Sequence, residues 1–332
     1  MVFDASIALA VLGALLLDAI VGDPDWLWRR VPHPVVAFGR AIAALDHAWN
    51  REIASSAQRK LAGCLALVLL VSGAAACGWL VQAAAFAMGG SAGGLAIIAL
   101  VGAVLLAQQS LYVHVARVRE GFETGGLDAA RAAVAMIVGR DPATLNAPAV
   151  ARASIETTAE NFADGVVAPT FWFLVFGLPG LFAYKMINTA DSMIGYRTPR
   201  HLAFGWAAAR TDDIVNVVPA RMSGFLIAVA PLLRRADART TAHAARVMMR
   251  DAAKHNSPNA GWPEAAMAGA LSVALAGPRV YQGATVDTAY LNADGRRDAS
   301  AADITAALRI YVAACGAHIV LVAGIAALVI VS

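Results

Sequence analysis

The sequence predicts an all-α fold: a polytopic integral membrane bundle of helices, with a broken or re-entrant helical hairpin around residues 152–196. Three observations predict it. Of 332 residues, 59% are hydrophobic and only 15% are charged, whereas an ordinary soluble domain carries about 25% charged residues. Apolar runs that approach or exceed the roughly 20 residues needed to cross about 30 Å of hydrocarbon recur from end to end. One of these runs is interrupted by "FGLPG" at residues 176–180, and Gly and Pro are the residues that end helices.

The apolar runs cover Ile7 to Val21, Leu61 to Met88, Leu95 to Val113, Val166 to Ala183, Gly224 to Leu233 and Ala306 to Val331, with a weaker one from Glu264 to Ala276. Met1 to Val21 has no basic start and no small-residue cleavage site, so it reads as a retained first helix rather than a signal peptide. Only "GGSAGG" separates the second and third runs, a short uncharged turn. The flanking segments 22–60 and 114–152 hold Arg29, Arg30, Arg40, Arg51, Arg59, Lys60, Arg117, Arg119, Arg131, Arg140 and Arg152. By the positive-inside rule these segments face the cytoplasm and the amino terminus lies outside. The chain thus reads as one membrane domain over 1–332, with polar segments on the cytoplasmic side at about 22–60, 114–165, 185–217 and 234–263. The basic stretch 234–254 breaks simple parity, so one segment must be re-entrant or lie flat; 206–233, bracketed by Pro219 and Pro231, is the candidate.

Composition also excludes function classes. The net charge of +3 has no block of like charge and no Arg/aromatic interleaving that would suit nucleic acid. Cys64, Cys77 and Cys315 sit inside apolar runs and read as small buried hydrophobes. There is no Gly-Lys pair and hence no P-loop, no Gly-x-Ser-x-Gly elbow and no Cys/His zinc pattern.

The polar motifs carry the chemistry. In "SIETTAENFADG", at about 100° per residue, Glu156, Glu160 and Asp164 fall within an arc of roughly 80°, with Asn161 roughly 60° further round. Clustered carboxylates repel unless a cation is present, and carboxylates with an amide suit magnesium held together with substrate phosphates. The competing reading is a solvated first turn whose acids favour the helix dipole. In "YKMINTADSMIGY", Lys185, Asn188, Asp191 and Ser192 fall on one side, and ionisable residues beside a membrane span are functional candidates; the alternative for Lys185 is snorkelling to the interface. Lys occurs only at 60, 185 and 254, so a compact ammonium is wanted at the two motif positions, as on a phosphate. Measured from the "FGLPG" turn, Asp164 and Asp191 both lie roughly 20 Å away at about 1.5 Å per residue, which would bring "NFAD" and "NTAD" to one depth.

"GWAAARTDDIVNVVPARMSG" supplies Asp212, Asp213 and Asn216 on a helix face, bracketed by Arg210 and Arg221, a combination for magnesium and phosphate; the alternative is an interfacial helix with internal salt bridges. "KHNSPNAGWPEAAMAGAL" offers Lys254, His255, Asn256, Ser257, Asn259 and Gly261 before Pro263 opens a helix, where backbone N–H groups approach an anion, or where an ordinary turn and cap would do. "GDPDWLWRRVPHPVVAFGR" adds Asp23, His33 and Arg40 at the surface, with His33 read as structural.

The ordered set "LLLDAIVGDP…PHPVVAFGR", "SIETTAENFADGVVAPTFW", "YKMINTADSMIGY", "FGWAAARTDDIVNVVPARMSG" and "KHNSPNAGWPEAAMAGAL" resembles the adenosylcobinamide-phosphate synthase family of cobalamin biosynthesis. The likeness covers nearly the whole chain and is least marked over 114–150 and 284–305. It implies a multi-pass enzyme of the bacterial cytoplasmic membrane, its active site facing the cytoplasm and other membrane-associated enzymes of the pathway as partners. It would join the propionate carboxyl of adenosylcobyric acid to the amine of (R)-1-amino-2-propanol O-phosphate, or a related amino alcohol, using ATP. The implied route is an acyl phosphate followed by amine attack. The implied roles are magnesium on the carboxylate and Asn faces (Glu156, Asn161, Asp164, Asn188, Asp191, Asp212, Asp213, Asn216), phosphate binding by Lys185, Ser192, Arg210, Arg221, Lys254, Ser257 and Asn259, and amine deprotonation by Glu160, His255 or Glu264. Two other readings are a corrinoid or small-anion transporter, which the lack of an evident inverted repeat disfavours, and a magnesium-dependent membrane prenyltransferase, whose extra aspartates the two Asn-x-x-Asp motifs lack.

Overall fold

The first helix, α1 (Ala5–Val21), starts where the Asp4 carboxylate accepts the Ser6 N–H at 2.8 Å, satisfying one of the donors a helix start leaves open. In chain order follow α2 (Asp25–Trp28), α3 (Pro34–Trp49), α4 (Ser56–Leu105), α5 (Gln108–Thr124), α6 (Gly126–Val134), α7 (Ala147–Phe162), a π-helical turn (Ala163–Val167), α8 (Ala168–Ile194), α9 (Trp206–Val215), α10 (Val217–Leu233), α11 (Ala238–Asp251), α12 (Gly261–Leu271) and α13 (Ala301–Val331). Between α12 and α13 lie four strands of two or three residues, β1 (Leu275–Ala276), β2 (Arg279–Tyr281), β3 (Ala284–Val286) and β4 (Tyr290–Leu291), paired antiparallel as β1 with β4 and β2 with β3. This computed structural model describes residues 4–138, 142–234, 237–281, 284–286 and 288–331; Arg140 and Arg235 of the basic segments lie outside them.

The fold is the helical membrane bundle the sequence predicts. Among the described residues three stretches are long and apolar enough to cross a membrane, Ser56–Thr124, Ala147–Ile194 and Ala301–Val331, and a fourth if α9 and α10 form one broken span. The break between α9 and α10 falls inside 206–233, the segment expected to be re-entrant. The α1 helix is apolar but shorter. The small strands were not foreseen: their segment lacks the alternating hydrophobic pattern by which a strand is recognised.

The described chain forms two compact units, Met1–Ala107 with Ala168–Asn216 and Val322–Ser332, and Gln108–Val167 with Val217–Leu321. The core of the first is the packing of α4 on α8. Two reversals shape it. Gly90 in α4 and Gly177 in α8 take φ of 61° and 66°, a region open to glycine at little cost. At each, residues on opposite sides of the break meet: the Ala85 carbonyl lies against Gly94, and the Trp172 carbonyl against Gly180. The "GGSAGG" and "FGLPG" turns therefore fold their helices back as the sequence predicts. Gly78 and Gly102, on the two limbs of α4, abut Leu178 and Phe173 of α8 respectively.

The Gly177 break frees the Leu178 N–H, which Gln82 Oε1 accepts at 2.9 Å; an unpaired backbone donor in an apolar setting would cost several kcal/mol (roughly). In the second unit α12 is the centre, packed by α10 and α11, with Ala265, Ala266, Met267 and Ala268 fully buried.

A Cβ at Gly78 would sit 2.6 Å from the Leu178 carbonyl oxygen and 2.9 Å from Pro179 Cα, whereas one at Gly73 in the same helix meets nothing within 4 Å. Gly78→Ala is expected to cost about 1–3 kcal/mol as an overpacked contact, and Gly73→Ala to cost nothing, measured by thermal unfolding of detergent-purified protein.

Candidate functional site

In the first unit, α8 after its break and α9 run antiparallel with a fixed register. Tyr184 Oη donates to Asn216 Oδ1 at 3.1 Å, and one turn along, Asn188 lies close enough to Asp212 to act on its carboxylate. As the residue number rises by four on α8 its partner's falls by four on α9. The helices close at Gly205, whose α-carbon faces the Ile194 carbonyl. The register lines up Asn188 and Asp191 of α8 with Asp212, Asp213 and Asn216 of α9. Asp191, Asp212 and Asp213 interact electrostatically with one another.

Asp212 is the middle of this cluster. Its Oδ2 accepts from Asn216 Nδ2 at 3.0 Å. Its Oδ1 is enclosed and accepts no hydrogen bond among the described residues. Asp191 lies against Gly195, where a Cβ would collide with Asp191 Oδ1, so glycine makes room for the carboxylate. Arg210 is exposed and reaches Asp213 at 3.3 Å, while Ser192 is exposed at the end of α8.

Lys185 connects this cluster to the "GDP…PHP" segment, being close enough to His33 for its ammonium to act on the imidazole. Burial holds the His33 pKa below its ordinary value, against the pull of Asp23 at 3.8 Å and of the Val104 carbonyl at 3.0 Å. His33 Nδ1 accepts the Val35 N–H at 3.2 Å and caps α3. The ring is thus a neutral cap whose Nε2–H points at Val104, the structural role expected of it, yet it stands next to the Lys185 site.

In the second unit "SIETTAENFADG" does not present one carboxylate face. Glu156 is 6% exposed and accepts the Ala276 N–H at 2.7 Å, holding β1 to α7. Glu160 is exposed, Asn161 Nδ2 donates to the Thr157 carbonyl at 3.1 Å, and Asp164 sits in the π-helical turn. The sequence argument assumed an ideal α-helix through Asp164; the π turn changes the angle per residue there, and such turns favour functional positions.

The "KHNSPNAGWPEA" segment folds around Ser257 and His255. Ser257 Oγ accepts the N–H groups of Asn259 (3.3 Å) and Ala260 (3.2 Å) at the start of α12. His255 Nδ1 accepts the Ser257 N–H at 3.0 Å, which puts the ring proton on Nε2, 3.6 Å from Glu264 Oε1. Glu264 is 2% exposed. Arg221 lies 4.6 Å over the Trp262 ring and 3.5 Å from Asn259 Oδ1. Lys254 Nζ is 2.6 Å from Asp251 Oδ1.

Sequence reasoning passed over Asp251 and Asn292. Asp251 is fully buried, joined by Arg250 and Lys254 and by the N–H of Asn292 at 2.8 Å. Asn292, at φ 55°, spans to the Ala268 and Val273 carbonyls at 3.2 Å each. "RDAAK" and "NADG" carried the signals, an acid between two bases and an Asn beside a turn.

The eighteen candidates thus fall into two sets. Lys185, Asn188, Asp191, Ser192, Arg210, Asp212, Asp213 and Asn216 belong to the first unit, and Glu156, Glu160, Asn161, Asp164, Arg221, Lys254, His255, Ser257, Asn259 and Glu264 to the second. Among the described residues no three of His, Cys, Asp and Glu converge as a metal-ligand group. The first-unit cluster nonetheless fits magnesium in the form that ion takes beside phosphates, one or two carboxylates completed by water and substrate oxygens, because Asp212 Oδ1 is an enclosed carboxyl oxygen that accepts no hydrogen bond among the described residues.

For Asp251, burial raises the carboxyl pKa, but Arg250, Lys254 and the Asn292 N–H outweigh it and hold it well below the usual range. A folded pKa below the unfolded one stabilises at neutral pH, and that share is lost as pH falls from about 5 through the carboxylate range. Asp251→Asn should cost about 1–3 kcal/mol at pH 7 and flatten the fall in stability on acidification, read by thermal unfolding at pH 7 and about pH 2.

Comparison with known proteins gives the family. The family described as CobD/Cbib protein matches residues 11–311. A "Cobalamin biosynthesis protein CobD" from a Sinorhizobium species is 53% identical over 310 residues, 93% of this chain and 95% of that one. The protein of that name in Rhizobium meliloti is 53% identical over 313 residues, 94% of each chain, and in Rhodobacter capsulatus 46% over 302 residues, 90% of each. No solved structure matches the chain. With a family match across nearly its whole length and relatives near half identical over nine-tenths of both sequences, the chain belongs to the CobD/Cbib family of cobalamin biosynthesis proteins.

Proposed function

We propose that the protein is an ATP-dependent ligase that joins the propionate carboxyl of adenosylcobyric acid to the amine of (R)-1-amino-2-propanol O-phosphate, or a related amino alcohol, giving adenosylcobinamide phosphate. Membership of a cobalamin biosynthesis family supports the substrate class. The observation that carries the reaction type is the first-unit cluster, in which Asp212 keeps an enclosed oxygen with no hydrogen bond among the described residues, beside Asp213 and Asp191, with Lys185 on the helix of Asp191.

A carboxylate is a poor electrophile, so its oxygen attacks the γ-phosphorus of ATP, ADP leaves, and an acyl phosphate forms; the amine then attacks the carbonyl carbon, inorganic phosphate leaves, and the amine proton passes to a base. Asp191, Asp212, Asp213 and Asn188 would hold magnesium, which when bound neutralises phosphate charge. Lys185, Arg210 and Ser192 bind phosphate oxygens in the first unit. In the second, Arg221 lies over the Trp262 ring, and Lys254, Ser257 and Asn259 offer donors for a phosphate. Because His255 Nδ1 already accepts the Ser257 N–H, Glu264 is the better proton acceptor and His255 orients it, with Glu160 the exposed alternative. In the second unit by itself, Asn161, just before the π turn, and Asp164, within it, are proposed as metal-side residues. The setting is the bacterial cytoplasmic membrane, the reacting groups facing the cytoplasm near other membrane-associated enzymes of the pathway.

The test is mass spectrometry of adenosylcobinamide phosphate formed by detergent-purified protein from adenosylcobyric acid, aminopropanol phosphate, ATP and magnesium, with single omissions. Product is expected to disappear without ATP. Formation without ATP, or none from folded protein, would sink the ligase. Asp191→Ala and Asp212→Ala should each lower the rate about 100-fold or more, and Asp164→Ala should lower it too; normal rates and normal magnesium dependence in all three would remove the carboxylates from the reaction.

A further inference from the structure

Tyr184 is a large, fully buried residue, 2% exposed, on the face of α8 that meets α9, and the proposed chemistry gives it no task. Its hydroxyl donates to Asn216 Oδ1, and the Nδ2 of the same amide donates to Asp212 Oδ2. Asn216 is itself 1% exposed, so neither hydrogen bond is exchanged cheaply for water. An amide has one acceptor end and one donor end. Asp212 Oδ2 accepts from the NH2 end, which turns the carbonyl end to Tyr184, and the tyrosine hydroxyl, donating to that carbonyl, fixes the orientation. The three groups form a chain of one polarity ending on one oxygen of Asp212, while the other oxygen accepts nothing among the described residues.

We propose that Tyr184 is a positioning residue for the Asp212 carboxylate, acting through the Asn216 amide, so that one carboxylate oxygen is held by the protein and the other is presented to a divalent cation. The inference rests on the reading of the Asp191–Asp212–Asp213 cluster as a cation site. It separates the roles of neighbours that look alike in sequence. Asp212 is a ligand, Asn216 is a strut behind it, and Tyr184 locks the strut. Groups of this kind behind a metal ligand change affinity about 10- to 100-fold when removed.

The experiment is Mn2+ binding to detergent-purified protein, followed as loss of the free-ion electron paramagnetic resonance signal, with no substrate present. Wild-type protein is expected to bind Mn2+ and Asp212→Asn to lose it. Tyr184→Phe should weaken binding about 10-fold or more while far-ultraviolet circular dichroism stays the same. Asn216→Ala should weaken it similarly, and Tyr184→Phe added to Asn216→Ala should change nothing further, since the two act in series. A purely packing role for Tyr184 would leave Mn2+ binding unmoved or give effects that add, and either result overturns the inference while leaving the cation site standing. Should Tyr184→Phe not fold, Asn216→Ala probes the same strut, and unchanged Mn2+ binding in that variant overturns the inference equally. Failure of wild-type protein to bind Mn2+ would instead overturn the cation reading of the cluster, and the inference with it.

Discussion

A helix that breaks inside hydrocarbon must give each freed backbone donor a partner, and the first unit is organised around one such partner. The carboxamide of Gln82 reaches from α4 to the Leu178 N–H at the point where α8 turns back. Without that acceptor the turn would carry an unsatisfied amide in an apolar setting, and without the turn α8 could not return Lys185, Asn188 and Asp191 to the polar end of the unit. The close packing of α4 on α8 at Gly78 lets so short a side chain make the reach.

The two polar clusters solve opposite electrostatic problems. Around Asp251 the protein supplies its own counter-charges, two bases and an amide N–H, so the buried acid is neutralised from within. Around Asp212 the nearest groups are further acids and uncharged amides, with the exposed Arg210 paired to Asp213. The first arrangement is complete as protein and its work is structural. The second leaves Asp212 Oδ1 without a hydrogen bond among the described residues, and the proposed cation site rests on that oxygen and the acids beside it.

Much of this was legible in the sequence, for physical reasons. Both reversals are written in glycine, because a positive φ admits few other residues, and the Asn188/Asp191 and Asp212/Asn216 faces follow from helical spacing alone. Less legible were features that depend on a partner far along the chain. Glu156 and Glu160 share a helical face in sequence, but Glu156 is taken by the amide of Ala276, 120 residues on, and no local pattern announces that bond. The π turn at Ala163 was hidden because apolar periodicity over five residues cannot distinguish 3.6 from a wider turn. Tyr184 was hidden differently: a tyrosine in an apolar run reads as core until the hydroxyl's acceptor is known.

The antiparallel pairing of α8 and α9 carries a consequence for how the sequence can vary. Tyr184 bonds Asn216, 32 positions on, and Asn188 faces Asp212, 24 positions on, so the loop 195–205 lies between the members of both pairs. The loop is itself anchored, with Arg200 and His201 on Asp46 and the Arg200 carbonyl accepting from Asn50 Nδ2. A single residue gained or lost within 184–192 or 208–216 turns everything beyond it by about 100° and unpairs the cluster at a stroke. Chain length within those two segments is therefore fixed by the pairing they make.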